Sequence, residues 1–149
     1  MTSLLIHAGL GALTVLAFFY VNRHMYRGDW PGAQMTWLEK TYWIAAVLSV
    51  CIGWFFNTRY VFTYPADASW VHFTTMLFDN PASGSAGQDM IITNVILFPL
   101  WTMIDGPRRG LRGCWVYFTM SLFTSFGFSM GLYLAAQERQ LRWNAALQR

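Results

Sequence analysis

Charge is scarce in this 149-residue chain: 11% of its residues are Asp, Glu, Lys or Arg, against roughly 25% in a typical soluble domain, while 55% are apolar. That balance excludes an ordinary water-soluble globule. Cysteine is scarce too, with Cys51 and Cys114 both in or beside apolar runs and no C-x-x-C spacing. Neither a secreted disulfide framework nor a zinc site of that kind follows, and both are expected as packed thiols. The three histidines, His7, His24 and His72, come from separate segments and have no nearby partner set for a metal. No nucleophile motif and no low-complexity tract is present. The ten basic residues against seven acidic ones give +3, but they are scattered between long uncharged runs, which argues against nucleic-acid binding.

What the chain does have is uncharged length. Residues 3–21, 41–56, 90–104 and 114–137 lack charge over distances close to the roughly 20 residues that cross a bilayer. The first has no basic residue before it and no small-x-small pattern after it, so it reads as an anchor and not a cleaved signal. Thr36 and Glu39 form a T-x-x-E capping box that lets the second span run over 37–56. Ser85 and Gln88 suggest a similar start for the third, over 88–104, with Pro99 kinking it. The fourth is expected over 114–136. Between the second and third spans, Trp70, Phe73 and Leu77 recur at helical spacing, predicting an interfacial helix over about 68–78. The Pro-, Gly- and Ser-rich stretch 79–88 is expected to turn the chain back. The fold class is therefore an all-α integral membrane four-helix bundle, one transmembrane domain over 1–149. With four spans, Arg23, Arg27, Lys40, Arg108, Arg109 and Arg112 share one side, against Arg59, Arg139, Arg142 and Arg149 on the other. That bias puts both termini outside the cytoplasm, in a bacterial inner or photosynthetic membrane.

Candidate chemistry is sparse. Asp89 and Asp105 bracket the third span and, about 24 Å apart along a helix, cannot share a substrate. Asp89 is expected to complement a helix N-terminus, and Asp105 to pair with Arg108 or Arg109 in a charged loop that also holds Arg112. His7 inside the first span needs a hydrogen-bond partner or a ligand such as a pigment magnesium or haem iron; Asn94 inside the third is expected as glue between helices. In the fourth span Ser121, Ser125 and Ser129 recur every four residues, while Gly127 and Gly131 form a GxxxG pair on nearly the opposite face. Two small faces imply two close neighbours, one of them a partner subunit or flat ligand. The eight tryptophans, seven tyrosines and twelve phenylalanines suit an interfacial aromatic belt, and equally a bound lipid, carotenoid, chlorophyll-type pigment or quinone.

Three stretches carry a family likeness: Gly-Trp-Phe-Phe-Asn at 53–57, Phe-Asp-Asn-Pro-Ala-Ser at 78–83 followed by Asp89, and the run from Asp105 through Gly-Pro-Arg-Arg-Gly-Leu-Arg-Gly-Cys to Trp115. The segment Gln137-Glu-Arg also fits. From Tyr42 onward the chain resembles a small membrane family known as domain of unknown function 2834, found in bacteria, cyanobacteria and plastid-bearing organisms. The resemblance implies a three-helix core, to which this chain adds the helix at 3–21 and a Trp-rich connection. It implies no reaction, cofactor or substrate.

The expected function is a non-catalytic accessory subunit of a larger membrane complex, photosynthetic or respiratory, whose partners are membrane lipids and other integral membrane subunits. The competing readings are an enzyme acting on isoprenoid or other lipids, using Asn57, His72 and Asp89, and a small transporter with Asn94 and the helix hydroxyls on its pathway.

Overall fold

The computed structural model describes residues 2–148, with side chains from Leu4 onward. All regular structure among them is helical: α1 (Thr2–Val21), α2 (Trp37–Thr63), α3 (Trp70–Met76), α4 (Pro81–Ile91), α5 (Phe98–Arg108), α6 (Trp115–Phe123) and α7 (Phe126–Leu147). A 3₁₀ turn, Arg23–Met25, follows α1. A π-helical turn, Ile92–Leu97, joins α4 to α5 without a break. Three helices are long and apolar enough to cross a bilayer: α1, α2 and the continuous α4–α5 rod.

Local chemistry explains the boundaries. Thr36 caps α2 by accepting from the Glu39 N–H at 3.1 Å, as the capping pattern requires, but the Glu39 carboxylate is used elsewhere. α2 then runs on to Thr63, seven residues past its expected end, because nothing in Asn57–Phe62 breaks a helix. The stretch expected to be a turn at 79–88 is helix. Asn80 accepts from the N–H groups of Ala82 and Ser83 at 3.0 and 2.9 Å, and Pro81 takes the first helical position, where its missing N–H costs nothing. The Ser85–Gln88 start is therefore overridden, and Asp89 lies beyond the first turn of α4, where it cannot act on the helix N-terminus. Pro99 does disturb the rod, by a π turn immediately before it: the extra residue relieves the clash between the ring and the preceding turn.

The largest departure concerns the fourth expected span. In one continuous helix Tyr117 and Tyr133 would lie about 24 Å apart. Their ring centroids are 5.1 Å apart, and the Ser129 hydroxyl donates to the Tyr117 carbonyl. The run folds back on itself at Thr124 and Ser125, with Ser125 in extended backbone capping α7 by accepting from the Phe128 N–H at 3.1 Å. The serines at 121, 125 and 129 thus fall on α6, at the turn and on α7, and are not one face of one helix. A four-helix bundle of full-length spans is replaced by three long helices and a helical hairpin.

The hairpin sits between α1 and α2. α6 lies antiparallel to α1, with Gly113 against Val21 and the carbonyl of Phe123 facing Gly11, where a Cβ would stand 3.0 Å away. α7 lies antiparallel to α2, with Ser125 beside Gly53, Gly127 against Ser49 and Gly131 against Ala46 and the Tyr42 carbonyl. The core follows this interlayer: Phe18, Ala46, Phe98, Tyr117, Met120, Leu132, Tyr133 and Ala136 are buried. Because α7 returns, its C-terminal half lies at the same end of the molecule as the loop after α5: Asn144 donates to the Arg109 carbonyl at 2.9 Å, and Arg139 to the Met25 carbonyl at 2.8 Å. The start of α1 lies at the opposite end, beside α3. The start of α1 and the end of α7 therefore lie at opposite ends of the molecule, whereas four full spans would bring them to one end. Cys114 is buried as expected, but Cys51 is exposed on the outer face of α2.

Candidate functional site

Two polar nodes organise the end of the molecule that holds the close of α5 and the start of α2. The first is built on Asp105. One of its oxygens accepts from Arg109 Nε at 2.6 Å, Gln137 Nε2 at 2.8 Å and the Tyr133 hydroxyl at 3.1 Å, so a single carboxylate ties the last turn of α5 to α7. The loop between α5 and α6 can turn this tightly because Gly110 and Gly113 take φ of +91° and +61°, which side chains disfavour. Gly106 is excluded from substitution differently: a Cβ there would meet Cys114 Sγ at 2.5 Å. Of the two expected partners, Arg109 pairs with Asp105 and Arg108 does not; Arg108 and the loop's Arg112 are exposed and unpaired.

The second node is a buried ion triad. Glu39 is fully buried and receives Arg139 Nη1 at 2.8 Å and Arg142 Nη2. Both arginines also donate to the connection between α1 and α2. Arg139 reaches the carbonyls of Met25 and Ala33, and Arg142 those of Gly32 and Gln34. The Arg139 guanidinium also lies over the Tyr26 ring, 4.8 Å from its centroid, with Trp30 beyond. Burial, with the Glu39 charge adding, pushes the Tyr26 phenol pKa up, which keeps that ring neutral beside the triad. His24 and Gln140 make a further bond at 2.9 Å. All three nitrogens of the Arg139 guanidinium donate to a carbonyl or to the Glu39 carboxylate, while Arg142 Nε is buried without a hydrogen bond and lies 3.7 Å from Glu138.

The opposite end is built from bonds between neutral side chains. Trp70 Nε1 donates to His7 Nε2 at 2.7 Å, and the Tyr60 hydroxyl meets His72 Nδ1 at 2.9 Å, beside the Tyr64 ring. His7 Nε2 is thus occupied by an indole N–H and not held open for a metal. Asn57, His72 and Asp89 lie on α2, α3 and α4, and no hydrogen bond joins them; Asp89 instead accepts from Gln88. Asn94 stands in the π turn with its carbonyl oxygen buried and unbonded. Gly127 and Gly131 face α2 of the same chain, so the GxxxG pair serves an internal contact. Among the described residues no group of three His, Cys, Asp or Glu side chains has a metal-holding arrangement.

Reasoning from sequence named Asp105 and Arg109 but missed their partners Tyr133 and Gln137, and missed Glu39, Arg139 and Arg142 as a unit. A signal existed. Arg139 and Arg142 are three apart on a helix, and Glu39 is an acid at the threshold of an apolar run, where a charge needs a partner.

These features define a class: an all-α protein with three helices long and apolar enough to span a membrane and a hairpin packed between two of them. The chain belongs to the family described as protein of unknown function DUF2834, whose profile matches residues 41–139. The matched stretch contains the whole Asp105 node and ends on Arg139, so the buried triad joins it to the N-terminal segment outside it. No curated protein and no solved structure matches the chain.

Proposed function

We propose that the protein is an integral membrane protein crossing the bilayer three times, with α6–α7 as a re-entrant hairpin, and that it serves as a non-catalytic structural subunit of a larger membrane assembly, photosynthetic or respiratory in setting. The observation that carries this reading is the half-length hairpin. It fills the space between α1 and α2 only as far as Gly11 and Gly53, near the middle of each helix. Irregular backbone at that depth is tolerated where protein covers it, and α1 and α2 half-bury the turn, leaving its open side for a partner to cover. Beyond the tip, α1, α2 and α4 have no extended packing on one another, and a crevice of about 290 Å³ opens between Ala8, Gly11, Trp54 and Phe123. Apolar side chains such as Phe55, Phe56 and Phe62 continue along that half of α2. A neighbouring subunit's helix fits such a surface, while in the other half the buried and half-buried charges, Asp105, Arg109, Glu39, Glu138, Arg139 and Arg142, are taken up by in-chain structural bonds.

The test is purification of tagged protein from its native membrane in mild detergent, with mass spectrometry of what accompanies it. Stoichiometric integral membrane subunits, lost when Gly11 is replaced by Leu at the tip, support the reading. A protein that migrates alone from intact membranes, with alanine replacements at Asn57, His72 and Asp89 causing one lipid to accumulate, would replace it with an enzyme.

Topology follows from the same geometry. Among the described residues, eight of the nine basic side chains lie in the half holding the two nodes, and Arg59 alone lies in the other. The first half carries four acids and is net +4; the second carries Asp67, Asp79 and Asp89 and is net −2. The positive half belongs in the cytoplasm, with the start of α1 outside and the end of α7 inside. A fluorescent protein fused at the C-terminus is expected to fluoresce, and alkaline phosphatase there to be inactive; the reverse pair inverts the topology.

A further inference from the structure

We infer that the cytoplasmic rim of this protein is a docking surface for anionic phospholipid headgroups. The inference rests on the three-crossing membrane reading above and goes beyond it. Eight cations occupy that half, but they divide into two kinds. Arg109, Arg139 and Arg142 are committed to Asp105, Glu39 and Glu138. Arg23, Arg27, Lys40, Arg108 and Arg112 are exposed, and no carboxylate stands within salt-bridge distance of any of them.

Their positions are those of headgroups. Arg23 lies two residues past the end of α1, Lys40 lies in the first turn of α2, Arg108 is the last residue of the long rod, and Arg112 stands three residues before α6. At the same helix ends the rings of Tyr20, Trp37 and Trp115 are 69%, 77% and 57% exposed, as side chains that sit in the interfacial layer are. The Arg23 guanidinium stacks over Tyr20, 5.2 Å from the ring centroid, which aims it along the membrane edge of α1. Unpaired cations beside exposed aromatic rings, at the depth where three helices leave the hydrocarbon, match a layer of phosphate oxygens. The only exposed acid nearby in sequence is Asp29, in the connection after Arg27. The opposite half has its own exposed ring, Trp70, but one arginine against three aspartates, so it lacks the cations for the same partner.

The experiment reconstitutes the full chain in vesicles of equal phosphatidylglycerol and phosphatidylcholine, releases it in mild detergent and counts retained lipids by native mass spectrometry. The expected result is preferential retention of phosphatidylglycerol, falling by up to about fivefold for each cation removed in Arg23→Gln, Arg27→Gln, Arg108→Gln and Arg112→Gln. Arg59→Gln should leave the preference unchanged. Equal retention of the two lipids by the unaltered protein, or a preference that survives all four replacements in a chain whose helix content is intact, overturns the inference while leaving the membrane reading in place. Failure of the unaltered protein to enter the vesicles overturns both.

Discussion

The two ends of this molecule are held together by different kinds of chemistry. At the basic end a fully buried glutamate and two arginines bind three elements at once, and a second carboxylate gathers three donors. At the other end, α3 and its capping Ser69 are held to α1 and α2 by bonds from single side chains, Trp70 to His7 and Tyr60 to His72 and Ser69. A buried charge network cannot be partly dismantled without stranding a charge, whereas single exposed bonds are exchanged for water at little loss. The lesson is that rigidity here is concentrated where the hairpin meets the loops, and the crevice end is left adaptable.

That contrast breaks most visibly at Glu39. Glu39→Ala leaves two arginines, each at most a fifth exposed, without their carboxylate, and is expected to cost about 3–5 kcal/mol of stability. Thermal unfolding in detergent would measure it. Replacing all three charges together by Leu and Met should recover most of the loss, and a triple variant as unstable as Glu39→Ala would show that the triad's hydrogen bonds to the loop, and not its charge balance, carry the effect.

Next comes Gly131→Leu. Its Cβ alone would stand 2.8 Å from Ala46 Cβ and 3.0 Å from the Tyr42 carbonyl, so overpacking against α2 should cost about 1–3 kcal/mol or more. If the variant unfolds at the same temperature as the unaltered protein, the GxxxG face is not the internal contact described here.

The smallest stability effect is expected at the other end. Trp70→Phe removes the donor to His7 and should cost no more than about 0.5–1.5 kcal/mol, with α3 exchanging its amide hydrogens faster than α7 even in the unaltered protein. A loss as large as that of Glu39→Ala would erase the contrast between the ends.

Much of this was legible along the chain. The capping of α2 by Thr36, the short helix near Trp70, the disturbance before Pro99 and the pairing of Asp105 with an arginine two turns or fewer away all rest on local spacing, which sequence displays directly. The start of α4 was also written there, as Asn80 followed by Pro81, but the Gly- and Ser-rich residues after it looked more like a turn than a helix. The hairpin was hidden for a physical reason. A continuous apolar run from Trp115 to Ala136 satisfies the length rule for a span whether or not it bends, and Ser125, which caps α7, reads equally well as a small residue on a packing face. The serine periodicity was a coincidence of spacing across a break.

The sequence by itself determined the apolar, charge-poor character of this protein, the all-helical class, the family and the three long helices, because each depends on composition and on periodicity within one segment. Only the tertiary structure decided that the last apolar run turns back. That turn depends on two glycines on other helices, Gly11 and Gly53, that admit its tip, and on Glu39, a hundred residues before its partner Arg139, that holds its far end. From it follow the side on which α7 ends and the separation of charge between the two halves, neither of which any one segment contains.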